Sequence, residues 1–182
     1  NHNLARKVVL GNPTPTTVYG INMNVQYKGF DLSVLLQGVA GNKIFNAAGQ
    51  FMSVAGRYED NQTVDQMRRW QKPGDITDVP QARLYRNNGG QASSRALSDG
   101  DYLRLKTVTL GYTLPASVVQ KIKFNQARVY VTGQNLLTFT DYKGWDPEVN
   151  TDYTSGTPYF LGNDFYSAPQ AKSIIVGVKL GF

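Results

Sequence analysis

The chain contains no cysteine. That excludes disulfides, thiolate catalysis and cysteine-ligated zinc, and it leaves the compartment open. Charged residues are scarce as well, at 18% against a usual share of about 25%. Lysine and glutamate, the usual surface residues of helices, are correspondingly thin, which favours an all-β chain. No run of about 18 apolar residues occurs, so no transmembrane helix is expected. There is one histidine, His2, with no other chemistry beside it. Ser93 and Ser94 have no base nearby in sequence. Asp146 and Glu148 flank Pro147, which suits a turn rather than an acid–base pair. A loose calcium-like spacing of Asp146, Glu148 and Asp152 is the nearest approach to a metal site. No catalytic residue, no metal and no cofactor is therefore expected.

The formal net charge is +6, but the basic residues are scattered and are densest only in "MRRWQK". Nucleic acid is not an expected partner. The first residues, "NHNLARK", do not begin with methionine and carry no signal peptide, and they read as the middle of a longer chain.

What the chain does have is glycine (18), tyrosine (11) and strand-like alternation. Five segments follow a two-residue period, near residues 18–27, 30–38, 101–114, 127–137 and 171–182. In the first, Tyr19, Ile21, Met23, Val25 and Tyr27 share a face opposite Gly20, Asn22, Asn24 and Gln26. In the second, Phe30, Leu32, Val34 and Leu36 oppose Asp31, Ser33 and Gln37. Only Lys28 and Gly29 separate these two, which predicts a tight hairpin. In the third, Leu103 and Leu105 fall out of phase with Val108, Leu110 and Tyr112. Either a bulge near Lys106 or Thr107 shifts the register, or one set points to the interior. The last segment, "KSIIVGVKLGF", runs to an aromatic end on its apolar face.

The connections are unequal. Residues 28–29 and 115–126 are short or medium links, whereas residues 39–100 and 138–170 are long. If successive strands alternate in direction, both long loops lie at one end of the sheet. Short turns at one end, long loops at the other and strands of about ten alternating residues are the pattern of outer-membrane β-barrels. A secreted carbohydrate-binding β-sandwich with one wet face shows the same alternation, and a passive porin shares the barrel pattern. Five strands are too few for a barrel, whose smallest kinds use about eight. The rest would lie upstream.

Four blocks carry a family resemblance: "GNPTP" (Gly11 to Pro15), "YKGFDLSVLLQGVAGNKIFN" (Tyr27 to Asn46), "DYLRLKTVTLGYTLP" (Asp101 to Pro115) and "RVYVTGQNLLTFTDYKGWDPEV" (Arg128 to Val149). In this order they resemble the C-terminal part of the SusC/RagA family of TonB-linked outer-membrane transporters. The resemblance implies an antiparallel transmembrane β-barrel segment, the last five strands of a plugged barrel of about 22 strands. It implies the outer membrane of a Gram-negative bacterium, with 39–100 and 138–170 as extracellular loops and the plug domain outside this chain. It implies active import of oligosaccharides or peptides. The partners implied are a SusD-like lipoprotein lid, the TonB complex acting through a distant N-terminal segment, outer-membrane lipid and lipopolysaccharide, and in some cases a dimer of transporter–lid pairs.

Two sets of site residues follow. Tyr142, Trp145, Tyr153, Tyr159, Phe160, Phe165 and Tyr166 crowd one loop and suit stacking on sugar rings or contact with the lid. The alternative is that they pack the loop itself. "GWDPEV" within it has the composition of a turn set by Asp146 and Pro147. Gly177, Leu180 and Phe182 resemble the terminal signal read by the barrel assembly machinery of outer-membrane proteins, with Ile175 where a polar residue is expected. In residues 39–100, Thr63 and Gln66 have the spacing of a capping box, predicting a helix over "VDQMRRW" that ends at Pro73-Gly74.

Overall fold

The structure is a computed structural model and describes residues 7–53, 61–86, 90, 92–148 and 161–182. The chain divides into two compact units. The first to consider is an antiparallel sheet of five strands: β1 (Thr17–Tyr27), β2 (Phe30–Ala40), β5 (Tyr102–Thr113), β6 (Gln126–Thr140) and β8 (Ser173–Gly181). They lie in the order β1-β2-β5-β6-β8, so every strand pairs with the next of these five in the chain.

Sequence dictates the hairpin between β1 and β2. Tyr27 pairs with Phe30, and Lys28 and Gly29 both take positive φ, 48° and 85°. That is the turn whose twist matches that of the strands it joins. A Cβ at Gly29 would also meet the Thr113 carbonyl at 2.9 Å. Between β5 and β6 the chain turns through a short helical segment, Ala116–Val119, entered from Pro115, where a fixed φ and a missing N–H cost nothing.

The phase slip in β5 is a bulge. The pairing with β2 shifts between Leu35 and Leu36, which passes over Lys106. The pairing with β6 shifts at the same place, leaving Asn135 and Leu136 opposite Lys106. Asn135 takes φ 51°, a conformation that asparagine tolerates better than most residues. The bulge puts Leu103 and Leu105 on the same face as Val108, Leu110 and Tyr112, because one extra residue exchanges odd for even.

The two faces of this sheet differ in chemistry. Val25, Leu32, Leu110, Val131 and Val176 form an unbroken apolar row across all five strands. Each is at least 38% exposed. Next to it run Tyr27, Phe30 and Tyr112, with the Phe30 and Tyr112 ring centroids 4.5 Å apart. The other face carries the row Asn24, Ser33, Thr109 and Thr132, ending in Ile175.

The second unit comprises residues 1–15, 41–100 and 141–168. It therefore gathers both long connections. Its described part is built on a small sheet of β4 (Leu97–Asp99), β3 (Lys43–Asn46) and β7 (Asn163–Asp164), in the order β4-β3-β7. A short helix, Ala47–Met52, follows β3 directly. Its N-cap is Asn46, whose Oδ1 accepts from the Gly49 N–H at 2.6 Å, satisfying one donor at the open helix end. Ile44, Ala47, Ala48 and Val79 are buried in this unit.

The helix expected after Thr63 is a 3₁₀ turn, Val64–Arg68, and Thr63 gives it no side-chain cap. The capping side chains are engaged elsewhere. The Thr63 hydroxyl donates to the Asp65 carboxylate, and the Gln66 amide donates to Ser53 Oγ at 3.1 Å. Val64 and Met67 on this turn are 84% and 77% exposed.

Candidate functional site

The polar face of the five-stranded sheet carries a strut that spans strands. Arg128 on β6 donates through Nε and Nη2 to both oxygens of Asp31 on β2. The strand between them, β5, contributes Gly111 opposite Asp31. A Cβ there would lie 2.3 Å from Arg128 Nη2, so the glycine leaves the path open. Asp31 and Arg128 thus form a two-pronged ion pair, the geometry a planar guanidinium favours. The guanidinium carbon also sits 5.0 Å from the centroid of the Tyr130 ring. The Tyr130 ring in turn lies over Gly177 on β8. Further along the face, Thr109 and Thr132 share a hydrogen bond of 2.8 Å.

Of the terminal residues singled out in the sequence, Gly177 is thus on the polar face, beneath Tyr130. Leu180 and Phe182 are 47% and 95% exposed. Leu180 pairs with Ala127 in the apolar register of β6.

The loop aromatics separate into classes. Tyr153, Tyr159 and Phe160 lie outside the described residues, as do His2 and Asp152. Tyr142 is 6% exposed and donates its hydroxyl to Asp164 Oδ2 at 2.6 Å. Its ring is packed into the loop unit. Burial first, then the hydrogen bond to Asp164 and the charge of that carboxylate, push the Tyr142 hydroxyl far above the ordinary tyrosine range. Phe165 is half-buried, with its centroid 5.7 Å from that of Phe51 and 4.8 Å from that of Tyr166. Among the described residues of this group, Trp145 and Tyr166 are the exposed ones, at 65% and 45%. Asp146 is buried and accepts from the Glu148 N–H at 2.9 Å, so it closes a turn over Pro147.

A polar cluster, which the sequence pattern did not single out, ties this unit together around Ser53, at the end of the helix Ala47–Met52. Arg95 donates to the Ser53 carbonyl at 2.9 Å, to Ser53 Oγ at 2.6 Å and to Asp65 at 3.2 Å. Ser53 Oγ donates to Asp65 at 2.6 Å. Partial burial pushes the Asp65 carboxyl up. The hydrogen bonds from Ser53, Thr63 and Gln66 and the charge of Arg95 outweigh it, leaving the group below the usual carboxylate range. Arg68 is paired with Asp78 at 2.8 Å.

No family model matches the chain. Known proteins do. TonB-dependent receptor P3 of Formosa agariphila is 35% identical over 180 residues, which are 98% of this chain and 17% of the relative. TonB-dependent receptor SusC of Bacteroides thetaiotaomicron is 27% identical over 97% of this chain and 16% of its own length. Among solved structures, the RagAB peptide importer in its closed-closed state matches with a TM-score of 0.79 at 27% identity, over 96% of this chain and 18% of that one. The open-open state of the same importer matches with a TM-score of 0.75 at 27% identity, over 93% of this chain and 17% of that one. The chain therefore spans less than a fifth of the length of the curated relatives it matches.

Proposed function

We propose, on the premise that this chain belongs to the SusC/RagA family of TonB-dependent receptors as the C-terminal part of the barrel, that the whole protein is an energy-coupled outer-membrane importer of oligosaccharides or peptides. A SusD-like surface lipoprotein closes over its extracellular mouth. Cargo is captured between lid and barrel, and the plug is displaced by pull from the TonB complex. The observation that carries this reading is the likeness to TonB-dependent receptors along nearly the full chain, in sequence and in fold.

The chemistry of the five-stranded sheet supports it. In hydrocarbon every backbone polar group needs a partner, and a closed barrel supplies one for each. β1 has 11 residues; at about 3.3 Å per residue and a tilt of about 40°, it covers about 25 Å of depth, the height of the apolar band in such barrels. The row from Val25 to Val176 then meets lipid, and the Asn24–Thr132 row meets the watery lumen. The aromatic group Tyr27, Phe30 and Tyr112 beside the tight turn suits an interfacial girdle. A secreted β-sandwich needs a second layer over the apolar face. Among the described residues that face is exposed instead, far beyond the scattered apolar residues normal on a soluble surface.

In this reading the strut from Asp31 to Gly177 stiffens the luminal wall, Trp145 and Tyr166 belong to the surface offered to cargo or lid, and Gly177, Leu180 and Phe182 address the barrel assembly machinery. The test is uptake of labelled oligosaccharides and peptides by cells carrying the full-length protein. Import that stops when the proton-motive force is collapsed, together with co-purification of a surface lipoprotein, is the expected result. Uptake that persists without energy identifies a passive porin instead.

A further inference from the structure

We propose that the polar cavity of the loop unit is a carboxylate-binding subsite for cargo, an inference that rests on the importer reading above. The cavity has a volume of about 310 Å³ and is lined in part by Asn46, Gln50, Asp65, Arg68, Arg95 and Lys143. Its charges do not cancel. Arg95 is paired with Asp65 and Arg68 with Asp78, which also borders the cavity. Lys143 lines it as a third cation and has no ion pair among the described residues. It also borders an adjoining cavity of about 420 Å³, where Lys43 is matched by Asp99 and Asp141 supplies the other carboxylate.

The hydrogen-bonding groups that remain are mostly donors. Three bonds fix Arg95 to Ser53 and Asp65, which leaves part of its donor fork unused and already oriented. Asn46 uses its carbonyl oxygen to cap the helix, so its amide N–H groups remain. The lining of the first cavity taken alone carries one more cation than carboxylates, and that charge beside rigid donors fits a monoanion that accepts on two oxygens. A carboxylate meets both conditions, whereas a phosphate dianion needs more positive charge than the lining holds. Two cargo types present a carboxylate beside hydroxyl or amide groups: an acidic oligosaccharide, and a peptide through its C-terminus or acidic side chains.

The test uses the full-length transporter with its lid protein, purified in detergent. Binding is measured to a mixed hexapeptide library and its fully amidated twin, and to galacturonate oligosaccharides and their methyl esters. Lys143 is exposed and makes none of the described hydrogen bonds, so Lys143→Gln preserves the fold. The variant is expected to lose about tenfold in affinity for the acid form of the class that binds, and nothing for its neutral twin. Equal loss for acid and neutral twins, or no loss for either, overturns the subsite while leaving the importer reading standing. Failure of the unmodified protein to bind any of the four preparations also overturns the subsite, while the importer reading is judged separately by the energy dependence of uptake.

Discussion

The far end of the Tyr130 side chain covers Gly177: a Cβ on the glycine would come within 2.3 Å of the ring carbon Cζ and 2.4 Å of the hydroxyl oxygen. The two residues face each other across the β6–β8 pair, and Arg128 stacks near the same ring. Glycine in a strand interior ordinarily weakens it; here the strand gives up a side chain so that a cross-strand aromatic can cover the gap.

From this contact, Gly177→Ala is expected to displace the ring. The cost of the glycine change should then depend on Tyr130. In a double-mutant cycle with Tyr130→Ala, the expected coupling is about 0.5–1.5 kcal/mol. It is read from urea-induced unfolding of the full-length barrel in lipid vesicles. Strict additivity would mean that Gly177 acts only as an assembly signal.

The two faces of β2 should respond oppositely to charge. Val34 is the middle of the apolar positions Phe30, Leu32, Val34, Leu36 and Gly38 on that strand. Val34→Lys is expected to destabilise by about 2–4 kcal/mol, and Phe30→Lys, beside the turn, by about 0–1 kcal/mol. Ser33→Lys on the polar face should change stability little. The heat-modifiable gel shift of the full-length protein, followed against urea, ranks the three.

Tyr142→Phe removes the donor to Asp164, a carboxylate only 4% exposed. Leaving that acceptor without this partner is expected to cost about 1–3 kcal/mol. The pH dependence follows from the raised hydroxyl pKa. The stabilising contribution is complete below pH of about 10, where tyrosine is protonated folded or unfolded. It is lost as pH rises further, because the unfolded chain ionises first. Ultraviolet titration near pH 10 should therefore count the same number of ionising tyrosines in the native protein and in native Tyr142→Phe, and one more in the unfolded protein than in unfolded Tyr142→Phe. Ionisation of Tyr142 in the ordinary range would contradict the buried bond.

The sheet was legible because alternation alone assigns each side chain to a face. Even the break in that alternation at Leu105 and Val108 pointed to the bulge at Lys106. Periodicity says which face a residue occupies, but not which partner it reaches two strands away. The Arg128–Asp31 strut was therefore hidden, although Gly111 between them was a clue to close approach. The loop unit was harder still. β3 and β7 are four and two residues long, too short for any period, and β7 pairs through β3. The Thr63–Gln66 spacing misled because Ser53 and Asp65, distant in one case and adjacent in the other, compete for the side chains a capping box requires. Tyr142 looked like its aromatic neighbours in sequence; only the buried Asp164 distinguishes it.

The central claim, a strand wall between lipid and a wet lumen, is tested most directly by cysteine scanning of β2. Single cysteines at positions 31, 32, 33 and 34 of a cysteine-free full-length protein, embedded in the outer membrane, are exposed to a membrane-impermeant maleimide. Labelling at 31 and 33 with protection at 32 and 34 is the predicted result. Equal labelling at all four positions, or protection at 31 and 33 with labelling at 32 and 34, would contradict the account.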